Sequence, residues 1–92
     1  VDTYARVQAL QLNDMESRGW LLDILSCVNA IPSGEFSLQE IYHFTDYLQQ
    51  AHLHNHHIKA KIRQQLQILR DSGFIIFLGN GRYRKVQRWQ PL

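Results

Sequence analysis

Asn80-Gly81 sits between two strand-like runs, FIIFL at 74–78 and RYRKVQ at 82–87. Few features constrain a short chain more tightly. A two-residue connection between antiparallel strands needs positive φ at both central positions, the type I′ turn, and Asn-Gly adopts it readily. The pattern therefore predicts a β-hairpin over 74–87. Immediately before it, Asp71-Ser72-Gly73 closes a helical stretch, with Gly73 as the C-terminal stop. A lone hairpin buries too little to stand by itself. The rest of the chain must supply the core.

That core reads as helical. In HNHHIKAKIRQQLQILRD, residues 54–71, Ile58, Ile62, Leu66 and Leu69 recur at spacings of four, four and three, which places them on one stripe. Asn55 is positioned to cap this helix. Upstream, ESRGWLLDILSCVNAI at 16–31 puts Trp20, Leu21, Ile24, Leu25, Val28 and Ile31 at helical spacing, with Ser17 as its expected N-cap and Pro32-Ser33-Gly34 as its stop. Between them, Glu35-Phe36 reads as a short extended piece. Ser37 and Glu40 fit a capping box that opens one further helix. Leu38, Ile41, Tyr42, Tyr47 and Leu48 supply its apolar side, and residues 51–55 connect it to the next. The order is helix, short strand, helix, helix, strand, tight turn, strand. It predicts an α+β winged helix, three helices plus a β-hairpin wing, over residues 16–88. Residues 1–15 alternate only partially and read as a linker or the tail of an upstream region.

The chain of 92 residues has room for one small core. It begins with Val1 rather than Met, so a fragment of a longer protein is expected. Without a second cysteine, Cys27 forms no internal disulfide, and its apolar setting predicts a buried thiol. No apolar run approaches the roughly 18 residues a membrane span needs. The net charge of +2 hides an asymmetry. Residues 1–53 hold two basic against seven acidic side chains, a net of −5, whereas residues 54–92 hold eight against one, a net of +7. Such a split points one part of the surface at a polyanion.

The third helix of a winged helix ordinarily enters the DNA major groove, about 12 Å wide. Here its outward face offers Asn55, His56, Ala60, Arg63, Gln64 and Gln67, with His57, Lys59 and Lys61 on the flanks. Gln pairs bidentately with adenine and Arg with guanine. Ala60 lets the helix approach closely or touches a base methyl. Lys59 and Lys61 suit phosphates, and in the wing Arg82, Arg84 and Lys85 suit phosphate or minor-groove contact. The bland alternative is a solvated amphipathic helix. A metal reading draws on His52, His54, His56 and His57, of which His52 and His56 have i, i+4 spacing. Structural zinc usually takes four ligands, often thiolates, and no C-x-x-C occurs, so no metal or cofactor is expected. Carboxylates are scattered, and G-x-S-x-G, H-E-x-x-H and P-loop motifs are absent from the sequence. A binding domain without catalytic residues is the expectation.

SRGW at 17–20, HIKAKIRQQLQILRD at 57–71 and GRYRKV at 81–86 closely resemble the C-terminal winged-helix domain of the DpnI restriction endonuclease family, and EFSLQEIY at 35–42 is also similar. The resemblance spans roughly residues 16 to 86 and is tightest over the third helix. It implies a methylation-dependent reader of GATC carrying N6-methyladenine, preferring both strands methylated. It implies a parent restriction endonuclease with a separate upstream nuclease domain, a bacterial cytoplasmic setting and a monomer. By resemblance, Lys59, Lys61, Arg63, Gln64, Gln65 and Gln67, with Arg82, Tyr83, Arg84 and Lys85, take a general DNA-contacting role. The sequence departs from the pattern in QQAHLHNH, and the nuclease domain with its zinc module and acidic site has no counterpart in it. Residues 1–15 and QRWQPL lie outside the likeness. The alternative reading is a methylation-independent DNA-binding or protein-interaction winged helix.

Overall fold

A computed structural model of the chain describes residues 15–86, so the linker expected over residues 1–15 falls almost wholly outside the described residues. The elements are α1 (Met15–Ala30), β1 (Glu35–Ser37), α2 (Leu38–Tyr42), α3 (Thr45–Ala51), α4 (Ile58–Asp71), β2 (Ile75–Gly79) and β3 (Arg82–Lys85). Among the described residues, four helices and a three-stranded antiparallel sheet make an α+β winged helix. Between Ser37 and Ala51, two helices stand where the sequence predicts one.

The extra helix comes from a break. The stretch expected as one helix after Ser37 parts at His43-Phe44. The His43 N–H donates to the carbonyls of Glu40 and Ile41, and the Phe44 N–H to Ile41, which tightens the last turn of α2. The Thr45 hydroxyl donates to the Tyr42 carbonyl, giving that orphaned acceptor a partner as the chain restarts. The start of α2 matches the capping box: the Glu40 N–H donates to Ser37 Oγ at 3.1 Å, and the Ser37 N–H to Glu40 Oε1 at 2.7 Å. At the first helix, by contrast, Ser17 lies within the first turn, because α1 already runs from Met15.

Helix α4 ends in a Schellman motif. The Phe74 N–H reaches the Leu69 carbonyl at 2.9 Å and the Gly73 N–H reaches Arg70 at 3.1 Å, with Gly73 at φ 85°. Only glycine takes that left-handed conformation at little cost. The hairpin has positive φ at both central residues, 53° at Asn80 and 72° at Gly81, as a type I′ turn requires. Leu78 forms an irregularity in the β2–β3 register between Phe77 and Gly79. Strand β3 is central, in the order β1-β3-β2. Its register sets Glu35 opposite Arg84, Phe36 opposite Tyr83, and Ile75 opposite Lys85. Alternation then divides the sheet, with Phe36, Tyr83, Lys85 and Ile75 inward and Glu35, Arg82, Arg84 and Ile76 outward.

The core lies between α1, α4 and the inner sheet face. Trp20, Leu21, Ile24, Leu25 and Val28 of α1 meet Ile58, Ile62, Leu66 and Leu69 of α4, closed by Ile41, Leu48, Phe36, Phe74 and Ile75. Burying this many large apolar side chains, at roughly 1.5–3 kcal/mol each, is what fixes α4 and its rotation. The α4 stripe predicted from spacing is the buried one.

Candidate nucleic-acid interface

With Ile58, Ile62, Leu66 and Leu69 turned inward, the 100° advance per residue sets every other α4 side chain. Ala60, Gln64 and Gln67 fall directly opposite and are exposed. Lys59 and Arg63 are exposed on the flank toward α2, and Arg70 continues that flank. Lys61 lies on the other flank, half-buried, its ammonium 5.9 Å from the centroid of the Trp20 ring. Gln65, by contrast, is only 3% exposed and belongs to the helix side that packs on the core.

The α2 flank carries the most specific geometry. Arg63 Nη1 donates to the Tyr42 hydroxyl at 2.8 Å, and Lys59 Nζ stands 5.1 Å from the Tyr42 ring centroid. Tyr42 was read from spacing as core. The break at His43-Phe44 instead leaves it at the end of α2, half-buried, beside the basic side of α4. Tyr83 stacks on buried Phe36 and tilts against exposed Phe77, with ring centroids 5.3 Å apart in both pairs. Burial pushes the Tyr83 hydroxyl up in pKa, the Arg70 charge pulls it down, and the Tyr42 hydroxyl adds a smaller push upward. Two tyrosines thus line the seam between α4 and the wing.

The approach to α4 is built by Asn55, though not as an N-cap. His57 holds that position without a side-chain cap bond. Asn55 Oδ1 accepts the His57 N–H at 2.7 Å, and the Asn55 carbonyl accepts from Gln49 Nε2 at 2.9 Å. His56 and His57 are exposed beside this turn. His52 has a different task that local sequence does not signal. Its Nε2 lies 2.7 Å from Asp23 Oδ2, and its ring stacks on Trp20 at 3.8 Å between centroids. No three His, Cys, Asp or Glu side chains among the described residues are grouped to hold a metal ion.

In the wing, Arg82 and Arg84 are exposed on the outer face, and Lys85 departs from the expected surface role. Lys85 is 8% exposed and its ammonium donates to the Ile31 carbonyl. Alternation along β3 forces this inward direction, the lysine stem packs as an apolar chain, and burial lowers the pKa of the amine. A phosphate contact by Lys85 does not fit that placement.

Apart from Asp71, ion-paired to Arg70 at 3.1 Å, α4 therefore displays Lys59, Arg63, Gln64, Gln67 and Arg70 around Ala60. Cations of this kind suit phosphates, and amides and a guanidinium suit base edges. No helix among the described residues is long and apolar enough to cross a membrane. Residues 16–85 match the family model of the Dam-replacing helix-turn-helix domain, DpnI_C. The chain belongs to that family, the DpnI C-terminal winged-helix domains, and is a helix-turn-helix module for double-stranded DNA.

Proposed function

We propose that α4 seats in the major groove of a GATC site and reads N6-methyladenine there, most tightly when both strands are methylated. The observation that carries the groove reading is the exposed row Ala60, Gln64 and Gln67, flanked by Lys59 and Arg63, on a helix pinned to the core by its opposite side. The methyl reading is supported by the likeness of residues 57–71 to the DpnI-type helix. The two adenines of a palindromic GATC lie on adjacent base pairs, so one helix can meet both methyl groups. Each buried methyl contributes about 0.8 kcal/mol, and two give roughly tenfold in affinity. In this reading Arg82 and Arg84 of the wing meet the backbone, the domain acts as a monomer, and an upstream nuclease domain in the parent protein performs cleavage.

Fluorescence polarisation with short duplexes containing one GATC, unmethylated, hemimethylated or fully methylated, at two salt concentrations, tests the proposal. A graded rise in affinity with methylation is expected. Identical curves for all three forms, with a steep salt dependence, would reduce the function to phosphate-driven DNA binding.

A further inference from the structure

The outer face of the wing holds an anion of its own. Glu35 on β1 stands opposite Arg84 in the strand register, with Ser37 opposite Arg82. Its two carboxylate oxygens are divided between the two arginines: Oε2 lies 3.3 Å from Arg84 Nη2 and Oε1 lies 3.8 Å from Arg82 Nη2. All three side chains are about half exposed. The backbone beneath is fixed, since Glu35 is laddered to β3 and its N–H donates to Ser33 Oγ. The carboxylate is therefore tethered within reach of both arginines.

A carboxylate and a phosphodiester present guanidinium groups with the same chemistry, a pair of oxygens sharing one negative charge. We infer that Glu35 is an internal stand-in for a DNA phosphate, one that competes with the backbone for Arg82 and Arg84 and so limits how tightly the wing holds any duplex. The inference rests on the DNA-binding reading, not on methyl recognition. Exchange of the carboxylate for a phosphate yields little net attraction, because one ion pair is given up as another forms and Glu35 then repels the phosphate. Phosphate contacts carry no sequence information, so this restraint leaves the affinity that remains in the hands of α4. It works by a repulsive element aimed at unselective binding.

The test compares wild type, E35Q, the R82Q/R84Q pair and the triple variant on three duplexes: fully methylated GATC, unmethylated GATC and one lacking GATC. Exposed pairs of this kind have modest strength, so roughly a three- to tenfold gain is expected for E35Q on all three duplexes. Its salt dependence should be steeper by up to about one released ion per phosphate newly held. The gain should vanish in the R82Q/R84Q background, while thermal midpoints of E35Q and wild type agree. An E35Q variant that binds equally or more weakly, or a gain that persists without the arginines, overturns the inference. The methylated-to-unmethylated ratio should stay the same in E35Q, so failure of methyl reading and failure of this inference are separate results. If the wild-type chain binds no duplex, both fall.

Discussion

The Tyr42 hydroxyl accepts a hydrogen bond from Arg63 Nη1 at 2.8 Å, and the same ring lies beneath Lys59. One side chain of α2 thus orients two basic side chains of α4. A guanidinium reads guanine through two parallel hydrogen bonds, so its plane matters as much as its charge. In the proposed DNA reading, holding Arg63 in place beforehand removes part of the ordering cost of binding.

Tyr42→Phe deletes the hydroxyl and keeps the ring. Freeing Arg63 returns an ordering cost of up to about 0.5–1.5 kcal/mol to binding, or at most two- to tenfold in affinity for a duplex with guanine at the site. The thermal midpoint should move little. Arg63→Lys should fare worse than Tyr42→Phe, because an ammonium cannot present the planar fork. Binding curves for the two variants, measured beside wild type on matched and guanine-free duplexes, decide it. An unchanged Tyr42→Phe affinity would remove Tyr42 from the reading apparatus.

Lys85 separates charge from contact. Because its ammonium is turned to the Ile31 carbonyl, Lys85→Ala should leave DNA affinity within about twofold of wild type. The same substitution should lower stability by about 1–3 kcal/mol, through lost stem packing and an unpaired carbonyl. Lys85→Met restores the stem and avoids burying a charge, and should recover about half or more of that loss. Urea titrations and binding isotherms on the same samples provide both numbers. A tenfold loss of affinity in a stably folded Lys85→Met would return the residue to the interface.

Local chemistry carried most of what the sequence revealed. Ser37–Glu40, Asn80-Gly81 and the stop at Gly73 each involve neighbours within a few residues, so spacing alone exposed them. The α4 stripe was legible for the same reason, since one period of 3.6 decides which side is buried. Pairings across the chain were not. Arg63 and Tyr42 are 21 positions apart, and His52 and Asp23 are 29 apart, so no window contains both partners. Lys85 shows a subtler limit. Alternation along β3 sets it with Tyr83, opposite the arginines, but lysine reads as a surface charge until its carbonyl partner at Ile31 is seen. The division of the second helix at His43-Phe44 was hidden because each half has ordinary helix-forming residues.

His52 ties the approach of α4 to α1. Its 2.7 Å link to Asp23 and its stack on Trp20 join helices that local sequence leaves independent. His52→Ala should cost about 1–3 kcal/mol, combining one hydrogen bond with one aromatic pair. Asp23→Asn keeps an acceptor for the ring N–H and should cost less. Circular dichroism during urea unfolding measures both, and equal losses would assign the effect to the charge on Asp23. A small effect of His52→Ala, under about 0.5 kcal/mol, would mean that the stack adds nothing to stability.

Cys27 makes stability depend on alkaline pH in a direction that can be worked out. The thiol is buried on α1, and burial first, with the nearby Asp23 charge second, raises its pKa to about 11 from an ordinary value of 9.0. Between those values the unfolded chain loses the thiol proton while the folded chain keeps it. The folded state then binds more protons, so the free energy of unfolding falls as pH rises through this window. Two pH units correspond to about 2–3 kcal/mol. Lys85 and Tyr83 also titrate in the alkaline range, so the comparison that isolates Cys27 is wild type against Cys27→Ala, in which both other groups are present. The difference in unfolding free energy between the two, measured by guanidinium titration at pH 8 and pH 11, should shrink or reverse at the higher pH by about that amount. At pH 8 the protonated, buried thiol should also react with a disulfide reagent only as fast as the fold opens. A stability difference that stays constant across the window, together with rapid labelling at pH 8, would place Cys27 at the surface rather than in the core.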